Sequence, residues 1–80
     1  YNGTDASSIT GKRVISKVDN LRFYESPSWQ DKDVAGIVNE GLGFSIINSV
    51  LVDNAWQYRV HNSNGKIYYI TASSYFIRLK

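Results

Sequence analysis

Aromatic residues are the side chains in this 80-residue sequence that most clearly carry chemistry. Tyr, Trp and Phe make up 14% of the chain, with six Tyr and two Trp. A domain this small has a small interior, so we expect several rings to lie at the surface, where they recognise partners by flat apolar contact. Neighbouring polar groups would add hydrogen bonds to peptide amides. The predicted ligand-binding residues are Asn20, Arg22, Tyr24, Trp29, Asp31, Trp56 and Tyr69.

Strand alternation assigns a direction to several of these rings. Tyr24 lies two positions after Arg22, so we expect both side chains on an exposed face. Trp29 sits in a polar loop beside Gln30 and Asp31, where it could line a groove. Tyr68 is expected to face the core and Tyr69 the solvent. For Trp56 two roles stay open, a plug at the edge of the core and a wall of the groove.

Catalytic chemistry is poorly supported by the sequence. The sole histidine, His61, lies near a predicted turn, where a solvated side chain is the simpler interpretation. Asp31 and Asp33 could form a carboxylate pair, but a hydrated loop explains them equally well. With no Cys and one His, the chain offers no recognisable metal-ligand set. The sequence therefore predicts a binding module without catalytic residues, metal or cofactor.

Composition limits the partners and leaves the compartment open. A formal net charge of +2 is far below that of strong nucleic-acid binders. No apolar run approaches the ~20 residues that span a bilayer, and the polar start does not resemble a signal peptide. The absence of Cys fits both a reducing cytosol and exported bacterial modules. We expect one domain, cut from a longer protein, that binds neither nucleic acid nor membrane.

The stretch 54–70 is the clearest structural element. Trp56, Tyr58 and Val60 alternate with polar residues, which indicates a strand with one buried face, and Gln57 is therefore expected to face solvent. Asn64-Gly65 is typical of a two-residue type I′ turn. Residues 66–71 are rich in β-branched and aromatic side chains and predict the returning strand.

The remaining sequence predicts further short strands at 12–18, 21–24, 34–38, 43–52 and 75–79. The hydrophobic phase changes near Ile46-Ile47, which indicates a bulge, and residues 71–74 could form one 3₁₀ turn. Residues 1–11 are small and polar and predict a flexible linker, followed by a domain at 12–80. Five to seven short antiparallel strands with turns between them favour an all-β fold, specifically a small barrel, which leaves few exposed strand edges.

Four segments in this order resemble the bacterial SH3 (Src-homology-3-like) domain. They are Leu-Arg-Phe-Tyr-Glu-Ser-Pro-Ser at 21–28, Val-Ala-Gly-Ile-Val-Asn-Glu-Gly at 34–41, Trp-Gln-Tyr-Arg-Val at 56–60 and Asn-Gly-Lys-Ile-Tyr-Tyr-Ile at 64–70. The resemblance covers about residues 12–80 and implies an SH3-like barrel. One departure is that Trp56 is followed by Gln57 and Tyr58 before Val60, one residue more than the usual Trp-x-Val.

This resemblance also implies a function. Similar modules form the C-terminal part of endolysins and lysozymes of lactobacilli and their phages, often after a catalytic domain of glycoside hydrolase family 25. A surface-layer-associated wall-binding domain of lactobacilli is a second relative. By this resemblance the chain would be extracellular, tethered to an N-terminal catalytic domain by residues 1–11, and would bind Gram-positive peptidoglycan through its stem peptide, cross-bridge or glycan.

Two other functions stay open from the residues alone. A small barrel could bind a protein, or it could bind an oligonucleotide by stacking bases on its rings beside basic side chains. Those basic side chains would be Arg22, Arg59, Lys66 and Arg78. A small enzyme is the third alternative and has the least support.

Overall fold

Seven β-strands make up most of residues 11–80, the part of the chain that the computed structural model describes. They are β1 Arg13–Ser16, β2 Leu21–Tyr24, β3 Val34–Val38, β4 Gly43–Val52, β5 Ala55–His61, β6 Ile67–Thr71 and β7 Ile77–Leu79. One 3₁₀ turn, Asp31–Asp33, precedes β3, and residues 11–80 contain no α-helix. The predicted linker at 1–11 lies outside the described residues except for Gly11.

The strands form one antiparallel sheet in the order β3-β2-β6-β5-β4-β1-β7. Phe23 of β2 packs edge-on against Phe44 of β4, with ring centroids 5.0 Å apart, although β6 and β5 separate these strands. The three extents of the domain are nearly equal, at 28 × 26 × 26 Å. A flat sheet would instead be thin in one direction, since even two packed sheet layers lie only about 10 Å apart. The sheet therefore curls around its own core, with β3 and β7 at its two ends, and the predicted all-β fold of short antiparallel strands is confirmed.

Alternating residues from five strands fill the concave side of this sheet. The buried core consists of Val14, Phe44, Ile46, Tyr58, Val60, Ile70 and Ile77. Phe23 and Tyr68 pack against this core, and their rings contact each other at 4.8 Å. The inward directions predicted for Tyr58, Val60 and Tyr68 are thus confirmed. The convex side carries the opposite residues of each strand.

A type I′ turn occurs in this fold, but at a different hairpin from the predicted one. Asp53 (φ 49°) and Asn54 (φ 66°) connect β4 to β5, and Val52 pairs directly with Ala55. Between β5 and β6, Gly65 has a positive φ of 81° whereas Asn64 does not. The type I′ prediction for Asn64-Gly65 is therefore wrong.

The β5–β6 turn has a different chemistry because Asn62 organises it. The Asn62 Oδ1 atom accepts hydrogen bonds from the backbone N–H groups of Asn64 and Lys66, both at 2.9 Å. Its backbone carbonyl accepts a third from Gly65 at 3.0 Å. Side-chain oxygens of Asn commonly close turns in this way, and here they favour a longer turn with one left-handed glycine.

The predicted bulge at Ile46-Ile47 is confirmed. Ile46 pairs with Val60 and Asn48 with Arg59, which leaves Ile47 as the extra residue. The bulge reverses the phase of β4, so that Ile46 faces the core whereas Asn48 and later alternate residues face the convex side. Val52 is consequently buried on the convex side rather than in the core.

Several boundaries differ from the sequence prediction at strand ends. The first and last strands are shorter than predicted, at Arg13–Ser16 and Ile77–Leu79. The 3₁₀ turn lies at Asp31–Asp33, where a loop was predicted. Residues 72–76 instead form a hydrogen-bonded turn, in which Phe76 N–H donates to the Ser73 carbonyl at 3.0 Å.

Gly43 provides a test of the close β1–β4 pairing. A Cβ atom at this position would lie 1.7 Å from the Val14 carbonyl oxygen, a backbone atom that cannot rotate away. We expect Gly43→Ala to lower the free energy of unfolding by about 3 kcal/mol, the upper end of the usual cost of overpacking, measured by urea denaturation. Gly36→Ala is the control, because its Cβ would meet the movable end of the Phe23 ring and should cost less. Equal losses for the two variants would contradict this packing.

Candidate functional site

The loop at 25–33 folds back across the convex face of the sheet. Gln57 Nε2 donates a hydrogen bond to the Ser28 carbonyl at 2.7 Å, and Trp29 Nε1 donates one to the Val52 carbonyl at 2.8 Å. The loop is closed at its base by a hydrogen bond from Glu25 N–H to the Asp33 carbonyl at 2.9 Å. Gln57 is completely buried beneath it, so the prediction that Gln57 faces solvent is wrong.

A cleft of about 310 Å³ opens beside this loop. Its lining combines two aromatic rings of the predicted site, a guanidinium, an amide, a hydroxyl and a further ring. The lining residues are Asn20, Leu21, Arg22, Tyr24, Trp29, Thr71 and Phe76. This volume is at the lower end of the ~300–1,000 Å³ typical of ligand pockets, so it suits a short segment of a ligand.

Tyr24 and Trp29 meet in an edge-on contact, with ring centroids 5.9 Å apart and planes at 79°. Tyr24 lies outside the core cluster, on the convex side as predicted. It is only 7% exposed, however, so the expectation of an exposed ring is wrong. The returning loop places Trp29 against it, a tertiary contact that strand alternation cannot predict. Tyr24 therefore supports the cleft more than it presents a free face.

Arg22 and Asp31 form an ion pair at this site. Arg22 Nη1 and Asp31 Oδ1 are 2.5 Å apart, and the two side chains are 55% and 86% exposed. An exposed pair of this kind contributes only about 0–1 kcal/mol to stability. The guanidinium can therefore exchange Asp31 for a polar group of a ligand at little cost.

Turn residues at the end of the cleft are held by side-chain oxygens. Asn20 adopts a left-handed φ of 60°, which Asn tolerates. Its backbone N–H donates to Asn39 Oδ1 at 3.1 Å, and the Glu40 N–H donates to Asp19 Oδ1 at 3.0 Å. These reciprocal bonds join the β1–β2 turn to the β3–β4 turn and fix the position of Asn20.

Thr71 and Phe76 belong to the cleft although sequence reasoning did not assign them to it. Phe76 is 45% exposed, so part of its ring is accessible to a ligand. Its backbone is anchored on both sides, by the bond to Ser73 and by a 2.8 Å bond from Lys17 N–H to the Phe76 carbonyl. The sequence signal for a cleft residue here was the pair of adjacent rings, Tyr75 and Phe76, after a run of small residues. The alternation of apolar and polar residues, however, assigned both rings to the last strand.

The structure separates the remaining predicted site residues. Trp56 is partly buried and lines a neighbouring cleft of about 420 Å³ with Ile77 and Leu79. Thr71 borders both clefts. Tyr69 is partly buried and pairs with Tyr24 across β6 and β2. Asn20, Arg22, Tyr24 and Trp29 thus share one cleft, with Asp31 joined to it through Arg22.

No group of three or more His, Cys, Asp or Glu side chains within residues 11–80 could hold a metal ion. None of the described residues belongs to a helix long and apolar enough to cross a membrane.

The chain is similar to a cell-wall enzyme. It is 53% identical over 72 residues to the N-acetylmuramoyl-L-alanine amidase BlyA of Bacillus subtilis strain 168. The match covers 89% of this chain but 19% of the amidase, so the chain spans about a fifth of the length of this relative. No family model matches the sequence, and no solved structure matches it.

Substitution of Gln57 tests whether its hydrogen bond to the Ser28 carbonyl anchors the loop at 25–33 to the sheet. We expect Gln57→Ala to lower the free energy of unfolding by about 2 kcal/mol, because it removes a buried hydrogen bond and leaves a cavity. The same variant should speed hydrogen exchange of the Trp29 indole N–H, observed by NMR. Arg59→Ala, two residues along the same face, is the control and should leave that exchange rate unchanged. Unaltered Trp29 exchange in Gln57→Ala would contradict this anchoring role.

Proposed function

We propose that this chain is a non-catalytic cell-wall-binding module that targets a peptidoglycan hydrolase to Gram-positive peptidoglycan. The observation that carries the proposal is the cleft beside the loop at 25–33, considered with the similarity to an amidase. The cleft combines an accessible ring, a guanidinium and an amide. Such a surface suits recognition of a peptide more than bond cleavage.

The extent of the similarity supports a role as an accessory part of an enzyme. At 53% identity over most of its length, this chain and the matched portion of the amidase are expected to share one fold. That portion is a minor part of the amidase. We infer that the chain is joined to a catalytic domain, and an SH3-like module following such a domain would fit this arrangement.

The cleft chemistry favours the peptide part of peptidoglycan as the ligand. Phe76 and the edge of Trp29 offer apolar surface to aliphatic side chains and methyl groups. Arg22, Asn20 and Thr71 offer donors and acceptors to peptide amides and carboxylates. At about 310 Å³ the cleft suits one or two amino-acid residues, as in a stem peptide or cross-bridge.

Weak binding at this cleft would be sufficient for targeting. An insoluble wall presents many copies of the same peptide, and tethering raises the effective concentration of an attached enzyme. The module would then act outside the cell, at the wall surface. An origin in an endolysin or lysozyme of a phage or its bacterial host fits this role.

The charge around the cleft favours a peptide over a nucleic acid. Arg22 is paired with Asp31, and Asp33 lies nearby in the same loop. The Asp31 carboxylate beside Arg22 would repel phosphates of a nucleic-acid backbone. The one histidine, His61, lines a different pocket, so it supplies no base to this cleft.

Phe76 is the position that tests the proposal most cleanly, because its ring is partly exposed. We expect Phe76→Ala to weaken binding to purified Gram-positive walls about five- to tenfold, since a contact ring at a binding site contributes on the order of 1–2 kcal/mol. The assay is co-sedimentation of the 80-residue chain with walls at fixed salt.

Leu42→Ala is the matched control, because Leu42 is a large apolar side chain that is 59% exposed and is not among the cleft lining. It should bind as the wild type does, and both variants should keep the wild-type thermal midpoint within a few degrees. If Phe76→Ala and Leu42→Ala bind walls equally well, the cleft is not the binding site.

A further inference from the structure

A third pocket lies on the convex face, away from the aromatic cleft formed by Tyr24, Trp29 and Phe76. It is about 410 Å³ in volume and is formed by neighbouring strands and the β5–β6 turn. Its lining residues are Arg13, Gly43, Phe44, Ser45, His61, Asn62, Ser63 and Gly65. The lining contains a cation, hydroxyls and an imidazole but no carboxylate.

Strand register places the polar side chains of this pocket side by side. Arg13 of β1 pairs with Ser45 of β4, and Ser45 pairs with His61 of β5. Side chains paired in this way have Cβ atoms about 4.5–5.5 Å apart. The three residues alternate with the core residues Val14, Phe44 and Val60, so all three project from the convex face as one row.

The hydrogen bonds in this row leave donors available. Arg13 Nη1 donates to Ser45 Oγ at 3.3 Å, so the Ser45 hydroxyl hydrogen remains free to donate to a ligand. Arg13 Nη2 reaches the Gly43 carbonyl only at 3.5 Å. His61 Nδ1 donates a hydrogen bond to the Asn62 carbonyl at 3.0 Å, which fixes the ring and leaves Nε2 of the neutral ring as an acceptor.

The electrostatics of the row are positive and uncompensated. Within residues 11–80 Asp31 pairs with Arg22, and no described carboxylate pairs with Arg13. Arg59 lies two residues before His61 on the same face, about 6.6 Å along the strand. Its Nε atom is buried without a hydrogen-bond partner within the described part of the chain. Two arginines therefore raise the potential at this end of the sheet.

We propose that this pocket binds a phosphate group, held by the Arg13 guanidinium and the Ser45 hydroxyl against the His61 ring. A phosphate has more acceptor oxygens than a planar carboxylate, and donors here converge from separate strands. Arginine is the side chain best suited to phosphate oxygens because its donors form a fixed fork. The proposal concerns a site distinct from the aromatic cleft and adds a second, anionic ligand to the domain.

An NMR titration of the ¹⁵N-labelled 80-residue chain tests this assignment at constant ionic strength. We expect inorganic phosphate to shift the amide signals of Ser45 and of residues 61–65 in a saturable way, while acetate at equal concentration does not. Glycerophosphoglycerol, a small phosphodiester, forms the second arm. Tighter binding of the diester identifies an esterified phosphate as the natural ligand, and tighter binding of inorganic phosphate identifies the free ion.

Matched variants separate specific binding from general charge. Arg13→Gln should weaken phosphate binding at least about tenfold, as expected for loss of a charge-assisted hydrogen bond. Lys32→Gln removes the same charge from an exposed position in the 3₁₀ turn, near the opposite end of β4, and should leave the affinity unchanged. Ser45→Ala should weaken binding severalfold and provides an independent test should Arg13→Gln fold poorly.

The proposal fails if no saturable shifts occur at these amides, if acetate reproduces them, or if Lys32→Gln loses as much affinity as Arg13→Gln. Phe76→Ala separates the two sites, since it should leave the phosphate-induced shifts intact whether or not it alters wall binding. Failure of the phosphate pocket would thus be distinguishable from failure of the aromatic cleft.

Discussion

The attachment of the loop at 25–33 to the convex face of the sheet determines the shape of the candidate site. Two side-chain hydrogen bonds make this attachment, from Gln57 to the Ser28 carbonyl and from Trp29 to the Val52 carbonyl. The buried Nε2 group of Gln57 is costly unless it is bonded, so the Ser28 carbonyl of the loop stabilises its position. The loop in turn covers Tyr24 and leaves the cleft between Trp29, Arg22 and Phe76.

Much of the fold was predictable because the alternation of apolar and polar residues indicates which face of each strand is buried. The patterns at 34–38 and 43–52 match β3 and β4, and the phase change at Ile46-Ile47 correctly predicted a bulge. Turn chemistry was less predictable. Asn62, through its side-chain oxygen, imposes a longer turn on Asn64-Gly65, whereas Asp53-Asn54 adopts the left-handed pair. The turn preferences of individual residues do not predict such competition between neighbouring asparagines.

The candidate site was predictable in its residue types but not in their exposure. Asn20, Arg22, Tyr24 and Trp29 do share a cleft, because three of them lie on or beside one strand face and the loop returns over it. The same return buries Tyr24, and the accessible ring of the cleft is Phe76, on a segment distant in sequence. Contacts of this kind depend on tertiary packing, which local periodicity does not contain. The curled sheet also separates the aromatic cleft from the row of Arg13, Ser45 and His61, so one small domain carries two surfaces of different chemistry.

Whether the cleft beside the loop binds peptidoglycan peptide can be read from a map of the ligand on the folded chain. The measurement is a titration of ¹⁵N-labelled protein with a purified soluble muropeptide, followed by amide and Trp indole signals. We expect saturable shifts at residues 20–24, at the Trp29 indole N–H and at Thr71 and Phe76, with the Trp56 indole changing less. Shifts centred elsewhere on the sheet, or no saturable shifts at millimolar muropeptide, would contradict binding at this cleft.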